Sequence, residues 1–227
     1  MSEATRKTLL AVVLLATGMA ATSASAASIP GLFDTGVLGD GTAAASGSVD
    51  LHYVILVSPD ANYPGPDAIV ADPIASGYWL ANSPTSRWIA PAENQGYPSG
   101  AANHAPGDYV YRISFDLTGL DPATAQVAGA WAADNTGTSV RLNGVNTGFT
   151  TPSYSGLTAF NLTSGFVAGI NTLDFVVNEF ASAGANPTGL RVAGLTGTAA
   201  AVPIPAVAWL FGAALAGCAL RGRHMRG

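Results

Sequence analysis

The chain has 227 residues, a formal charge of −5 and one cysteine, Cys218. Residues 27–201 hold four arginines, no lysine and thirteen acids, a formal charge of −9, which excludes a basic-patch grip on nucleic acid or on anionic lipid heads. With no second cysteine there is no intrachain disulfide, so about 175 residues must build one core unaided.

The N-terminus carries Arg6 and Lys7, the apolar run Thr8 to Ala16, and then Ala24-Ser25-Ala26. That order is a signal peptide with small residues at the −3 and −1 sites, cut after Ala26. Residues 27–45 are Ala, Ser, Gly and Thr with few large apolar groups, and read as a flexible lead-in. The domain proper is expected over 46–199. Val49 to Val57, rich in β-branched residues, predicts a core strand. Pro59, Pro64, Pro66 and Pro73 then predict a long loop that cannot be helical.

Tyr109, Tyr111, Ile113, Phe115 and Leu117 alternate with Val110, Arg112, Ser114 and Asp116, which predicts a strand with one buried face and one wet face. Gln126 to Trp131 predicts another strand. Val140-Arg141-Leu142, Asn143-Gly144 and Val145 predict a tight hairpin, because Asn-Gly accepts the positive φ angles of such turns. Leu157 to Leu162, Leu173 to Val177 and Leu190 to Leu195 add three more strands. Seven or eight short strands with one apolar face each predict an all-β fold, an antiparallel β-sandwich.

At the C-terminus Val202 to Leu220 is uncharged and is followed by Arg221, Arg223 and Arg226. Nineteen residues rise roughly 28 Å as a helix, close to the ~30 Å hydrocarbon core, so a transmembrane helix over 202–220 is expected. The arginines belong in the cytoplasm, which leaves the domain outside. Val202-Pro203-Ile204-Pro205-Ala206, then Trp209-Leu210-Phe211-Gly212, then the arginine cluster, resemble a PEP-CTERM sorting tail in its Val-Pro-x-Pro variant. The likeness covers about the last 26 residues, 202–227, and Ile204 stands where the glutamate that names the motif would be. It implies an exosortase-type processing enzyme as partner, and delivery to the cell surface or the exopolysaccharide matrix.

A second likeness lies inside the domain. Trp88-Ile89-Ala90-Pro91, Tyr111 to Leu117, Ala132-Ala133-Asp134-Asn135, Leu142-Asn143-Gly144 and Gly169-Ile170-Asn171-Thr172-Leu173 resemble successive strands and turns of galactose-binding-like jelly rolls. This implies a jelly-roll fold, carbohydrate binding without catalysis, and an extracellular polysaccharide as partner.

No nucleophile motif, zinc motif or phosphate loop occurs, and His52 and His104 are the only histidines before the tail. No cofactor is expected. Sugar binding needs an aromatic platform with amide or carboxylate partners. Trp79 and Trp88, with Arg87 and Asn94 close by, have that composition in an expected loop. Asp134 and Asn135 read either as turn-orienting residues or, on the jelly-roll likeness, as part of a structural calcium site. The alternative is a structural surface protein with no small ligand, its tryptophans serving only to pack; a glycan-active enzyme is a third reading, behind both.

Overall fold

A computed structural model describes residues 25–72, 77–95 and 102–202. The expected signal peptide up to residue 24 and the expected membrane helix and basic tail from 203 onward lie outside the described residues. Among those residues there are eleven strands: β1 (Ala26–Ser28), β2 (Val49–Val57), β3 (Asp67–Ala71), β4 (Trp88–Ala90), β5 (Gly107–Asp116), β6 (Gln126–Asp134), β7 (Thr136–Leu142), β8 (Val145–Asn146), β9 (Thr158–Leu162), β10 (Ile170–Glu179) and β11 (Gly189–Ala200). A single 3₁₀ turn, Pro122–Thr124, precedes β6. No described helix is long and apolar enough to cross a membrane.

The strands form one antiparallel sheet in the order β8-β7-β10-β5-β2-β3-β4-β11-β6-β9, with β1 paired to the far end of β11. The sheet curls so that its two halves face each other across one core. Phe175 of β10 meets Trp131 of β6 at 5.5 Å and Phe160 of β9 at 5.8 Å between ring centroids. The all-β expectation holds, and the curled sheet is consistent with a β-sandwich.

Alternation sets which side faces the core. In β5, Tyr109, Tyr111, Ile113 and Phe115 are buried, whereas on the other face Ser114 is exposed and Arg112 and Asp116 are half-buried, but Val110, expected on that wet face, is buried too. Arg112 leans across to β10 and donates from Nε to Asp174 at 2.6 Å. The hairpin falls where Asn-Gly placed it: Leu142 faces Val145, with φ of 52° at Asn143 and 80° at Gly144.

Three expectations are corrected. The stretch 27–45 is not a loose lead-in. Ile29, Val37 and Ala44 are buried, and Thr35 is wedged between two strands, its Oγ1 donating to the Arg87 carbonyl at 2.6 Å and accepting from Val192 N at 3.0 Å. Its apolar content is low because backbone and hydroxyl hydrogen bonds hold it, satisfying polar groups that burial would otherwise leave unpaired. The Pro-rich stretch after β2 is non-helical as far as it is described, through residue 72, but Asp67–Ala71 within it is β3. Trp88 belongs to β4, inside the sheet, and not to a loop.

Candidate functional site

Strand direction puts three connections at one end of the sheet: the Asp134-Asn135 turn from β6 to β7, the segment 180–188 from β10 to β11, and the loop holding Tyr154; the segment before β4 that carries Tyr78 and Trp79 folds back to the same end, where Trp79 meets Asp134. Between them lies an open cleft of about 420 Å³, lined by Tyr78, Trp79, Asp134, Asn135, Tyr154 and Phe180 among others, with Asn186 and Ser182 on the 180–188 side.

Phe180 is presented by its backbone. Its N–H donates to Asn135 Oδ1 at 2.6 Å and its carbonyl accepts from Asn186 Nδ2 at 2.9 Å, while the ring is 54% exposed. Tyr78 is 53% exposed on the same cleft. A ring held by a pinned backbone loses little freedom when a ligand settles on it.

Below the rim runs a buried polar chain. Trp79 Nε1 donates to Asp134 Oδ2 at 2.7 Å, and Asn135 Nδ2 donates to Asp134 Oδ1 at 3.0 Å. Thr188 Oγ1 donates to the Asp134 carbonyl at 2.9 Å, and Thr188 N donates to Gln95 Oε1 at 3.1 Å. Gln95 Nε2 donates to the Ala92 carbonyl and lies 3.0 Å from His104 Nε2. With the amide oriented by those two backbone groups, His104 Nε2 accepts, and its proton sits on Nδ1, 3.5 Å from Asp60 Oδ2. Burial lowers the His104 pKa against the pull of Asp60, so the ring is neutral.

Burial pushes Asp134 up to about 6, against the lowering effect of its Trp79 and Asn135 hydrogen bonds. Glu179, the last residue of β10, is buried at 2% exposure with neither carboxyl oxygen hydrogen-bonded. Thr188 has one hydroxyl proton and gives it to Asp134, so it has none for Glu179. Burial first, then the charge of Asp134, push Glu179 up to about 8.

Of the six residues expected to bind ligand, three meet here: Trp79, Asp134 and Asn135 line the cleft. Trp79 does so with only 3% of its surface exposed. Its ring lies 4.3 Å from that of Trp88, and its outer edge rests where a Cβ on Gly189 would stand, 2.9 Å away. Trp88 is wholly buried, its Nε1 donating to the Leu80 carbonyl at 2.7 Å, and it does not line the cleft. The expected tryptophan platform is therefore a packed pair under a loop that folds back over the sheet. Arg87 is spent elsewhere, donating to Asp72 Oδ1 at 2.7 Å and to the Ala44 carbonyl at 2.7 Å. Asn94 is exposed outside the cleft. The sorting residues Pro203, Pro205, Arg221, Arg223 and Arg226 lie outside the described residues, and Val202 is the last one described. Among the described residues no group of three or more His, Cys, Asp or Glu is placed to hold a metal ion, and both Asp134 oxygens already accept from neighbours, as a turn-orienting carboxylate does.

Sequence reasoning did not single out Phe180, Tyr154 or Asn186. The available signal was an aromatic at the start of Phe180-Ala-Ser-Ala-Gly-Ala-Asn-Pro, a small-residue loop between two strong strands. No family model, no curated protein and no solved structure matches this chain.

Proposed function

We propose that the chain is an exported, non-catalytic cell-surface or matrix protein that holds a neutral carbohydrate in the cleft between Tyr78 and Phe180. The observation that carries the reading is that these two rings, each more than half exposed, share one open cleft with Asp134, Asn135 and Asn186. Pyranose rings have an apolar face that stacks on an aromatic and hydroxyls that reach amides and carboxylates. The charge of −9 over 27–201 disfavours polyanionic glycans over neutral ones. The jelly-roll likeness of the strand motifs supports the same ligand class. The order of basic start, apolar run and small residues at one end, and of Val202-Pro203-Ile204-Pro205, apolar span and arginines at the other, supports export, membrane anchoring and exosortase-type sorting.

The test is a glycan array and an exopolysaccharide pull-down with the exported domain, beside Tyr78→Ala and Phe180→Ala. Loss of a stacking ring should weaken binding by ~1–3 kcal/mol, about 5- to 150-fold, as for other aromatic anchors. Absence of binding by the unaltered domain would leave a structural surface protein without a small ligand. Equal binding by both variants would move the site out of this cleft.

A further inference from the structure

We infer that the end of the sheet opposite the cleft is a membrane-contacting surface whose partner is the lipid interface itself. The inference rests on reading Val202 to Leu220 as the membrane span, and three independent features of the described residues support it.

The first is connectivity. The segments 117–121, 143–144 and 163–171 and the ends of β1 and β11 lie together at this end. Asn143 Nδ2 donates to the Gly165 carbonyl at 3.0 Å and to Asn171 Oδ1 at 2.9 Å. Leu117 N donates to the Gly169 carbonyl, and Val202 N donates to the Gly119 carbonyl, each at 2.9 Å. Val202 is thus both the last described residue, fastened to the sheet, and the first of the uncharged run. On the reading of 202–220 as the span, the sheet ends where the span begins in the sequence, which would hold this end at the interface and not at a distance from it. Ala26 faces Ala200 across β1 and β11, so both ends of the described chain lie at this end.

The second is the surface offered there. Val145, Val167, Ile170 and Val202 are 69%, 48%, 64% and 52% exposed. The third is charge. Residues 117–126, 143–147 and 163–171 contain no Lys, Arg or Glu and a single aspartate, Asp121. Its Oδ1 accepts from Ala123 N at 3.0 Å, and neighbouring Asp116 turns its Oδ1 back to Thr118. A rim whose charges are few, Asp116, Asp121 and, behind the hairpin, Arg141, and whose aliphatic side chains are exposed suits the headgroup boundary, where apolar burial more than electrostatic attraction supplies the affinity.

The cleft then points away from the bilayer. Twelve residues of β11 separate the two ends, roughly 35–40 Å at strand rise.

The experiment uses the full chain carrying Cys218→Ala, reconstituted in phosphatidylcholine nanodiscs that hold a headgroup-level nitroxide lipid. A fluorophore is placed at Val145→Cys, Ile170→Cys or, at the cleft, Ser182→Cys; all three positions are exposed. The expected result is loss of fluorescence at 145 and 170, none at 182, and no change in about 0.5 M salt, which screens charge attraction beyond a few ångströms. A chain that inserts but shows no quenching at 145 and 170 overturns the docking surface and leaves the anchor reading intact. Quenching that salt abolishes overturns the apolar contact argued here. Shielding of 145 and 170 that grows with chain density but is independent of the nitroxide assigns the surface to a second copy and overturns the lipid assignment. A chain that does not co-purify with the discs overturns the anchor reading and this surface with it.

Discussion

Glu179→Gln should flatten the fall in stability between pH 6.5 and 8. The ordinary glutamate value is 4.5, and in the folded chain Glu179 is pushed up to about 8 by burial and by Asp134. Between those two values the unfolded chain has released the proton while the folded chain keeps it. The unfolded state therefore binds fewer protons, and stability falls as pH rises, by at most about 1.4 kcal/mol per pH unit for one group. His104 works in the other direction, since its folded value is lowered from 6.5; its contribution is lost as pH falls below 6.5 and is constant above. Asp134, raised from 3.8 to about 6, adds a fall that passes through pH 6 and has nearly levelled off at the lower edge of that window. The window from 6.5 to 8 thus isolates Glu179, with a fall of about 2 kcal/mol from this one residue. Urea unfolding of the 27–202 domain across that window measures it through the midpoint at constant slope. Glutamine also leaves buried polar atoms unpaired, so the comparison lies in the pH slope and not in the absolute stability. An unaltered domain whose stability is flat or rises from pH 6.5 to 8, or a variant with the same fall, would refute the reasoning.

Trp88→Ala should cost ~3–5 kcal/mol of unfolding free energy by emptying a fully buried site, read as a lower urea midpoint; a loss below about 1 kcal/mol would show that the loop over β4 collapses onto the vacancy. Intact-mass analysis of the exported protein should give Ala27 as the first residue, and a protein that retains Met1 would contradict the reading of Ala24-Ser25-Ala26 as a signal-peptidase site.

Much of the sheet was legible because its signals are local. The Tyr109 to Leu117 alternation needs only a strand with one apolar face, and Asn143-Gly144 needs only a turn that tolerates positive φ. What stayed hidden depends on partners distant in sequence. Thr35 is ordered by Arg87 and Val192, 52 and 157 residues away, and no window around Thr35 contains that information. The aromatic reading went astray for a related reason. Trp79 and Trp88 have the composition of a sugar platform, but the segment between them folds back, with Asn82 Oδ1 accepting from Trp88 N at 2.8 Å, and closes over both rings. The exposed rings at this end are Tyr78 and Phe180, and Phe180 follows a strong strand and carries no compositional mark. Asp134 and Asn135 stand out in the sequence because a polar pair at a strand's end has few roles, and in the fold they accept from Trp79 Nε1 and Phe180 N.

The placement of β11 bears on how the domain would transmit force. This strand starts beside the cleft at Gly189 and ends beside Val202, and along its length it is hydrogen-bonded to β6 on one edge and to β4 and then β1 on the other. A tension drawn between a glycan in the cleft and an anchor at Val202 would run along the strand axis, across the hydrogen bonds and not in line with them. Such a load shears many bonds at once, whereas pulling the two chain ends apart, with Ala27 opposite Ala199, would peel β1 away one pair at a time. A tether loaded through its cleft would therefore resist far more strongly than one loaded through its termini.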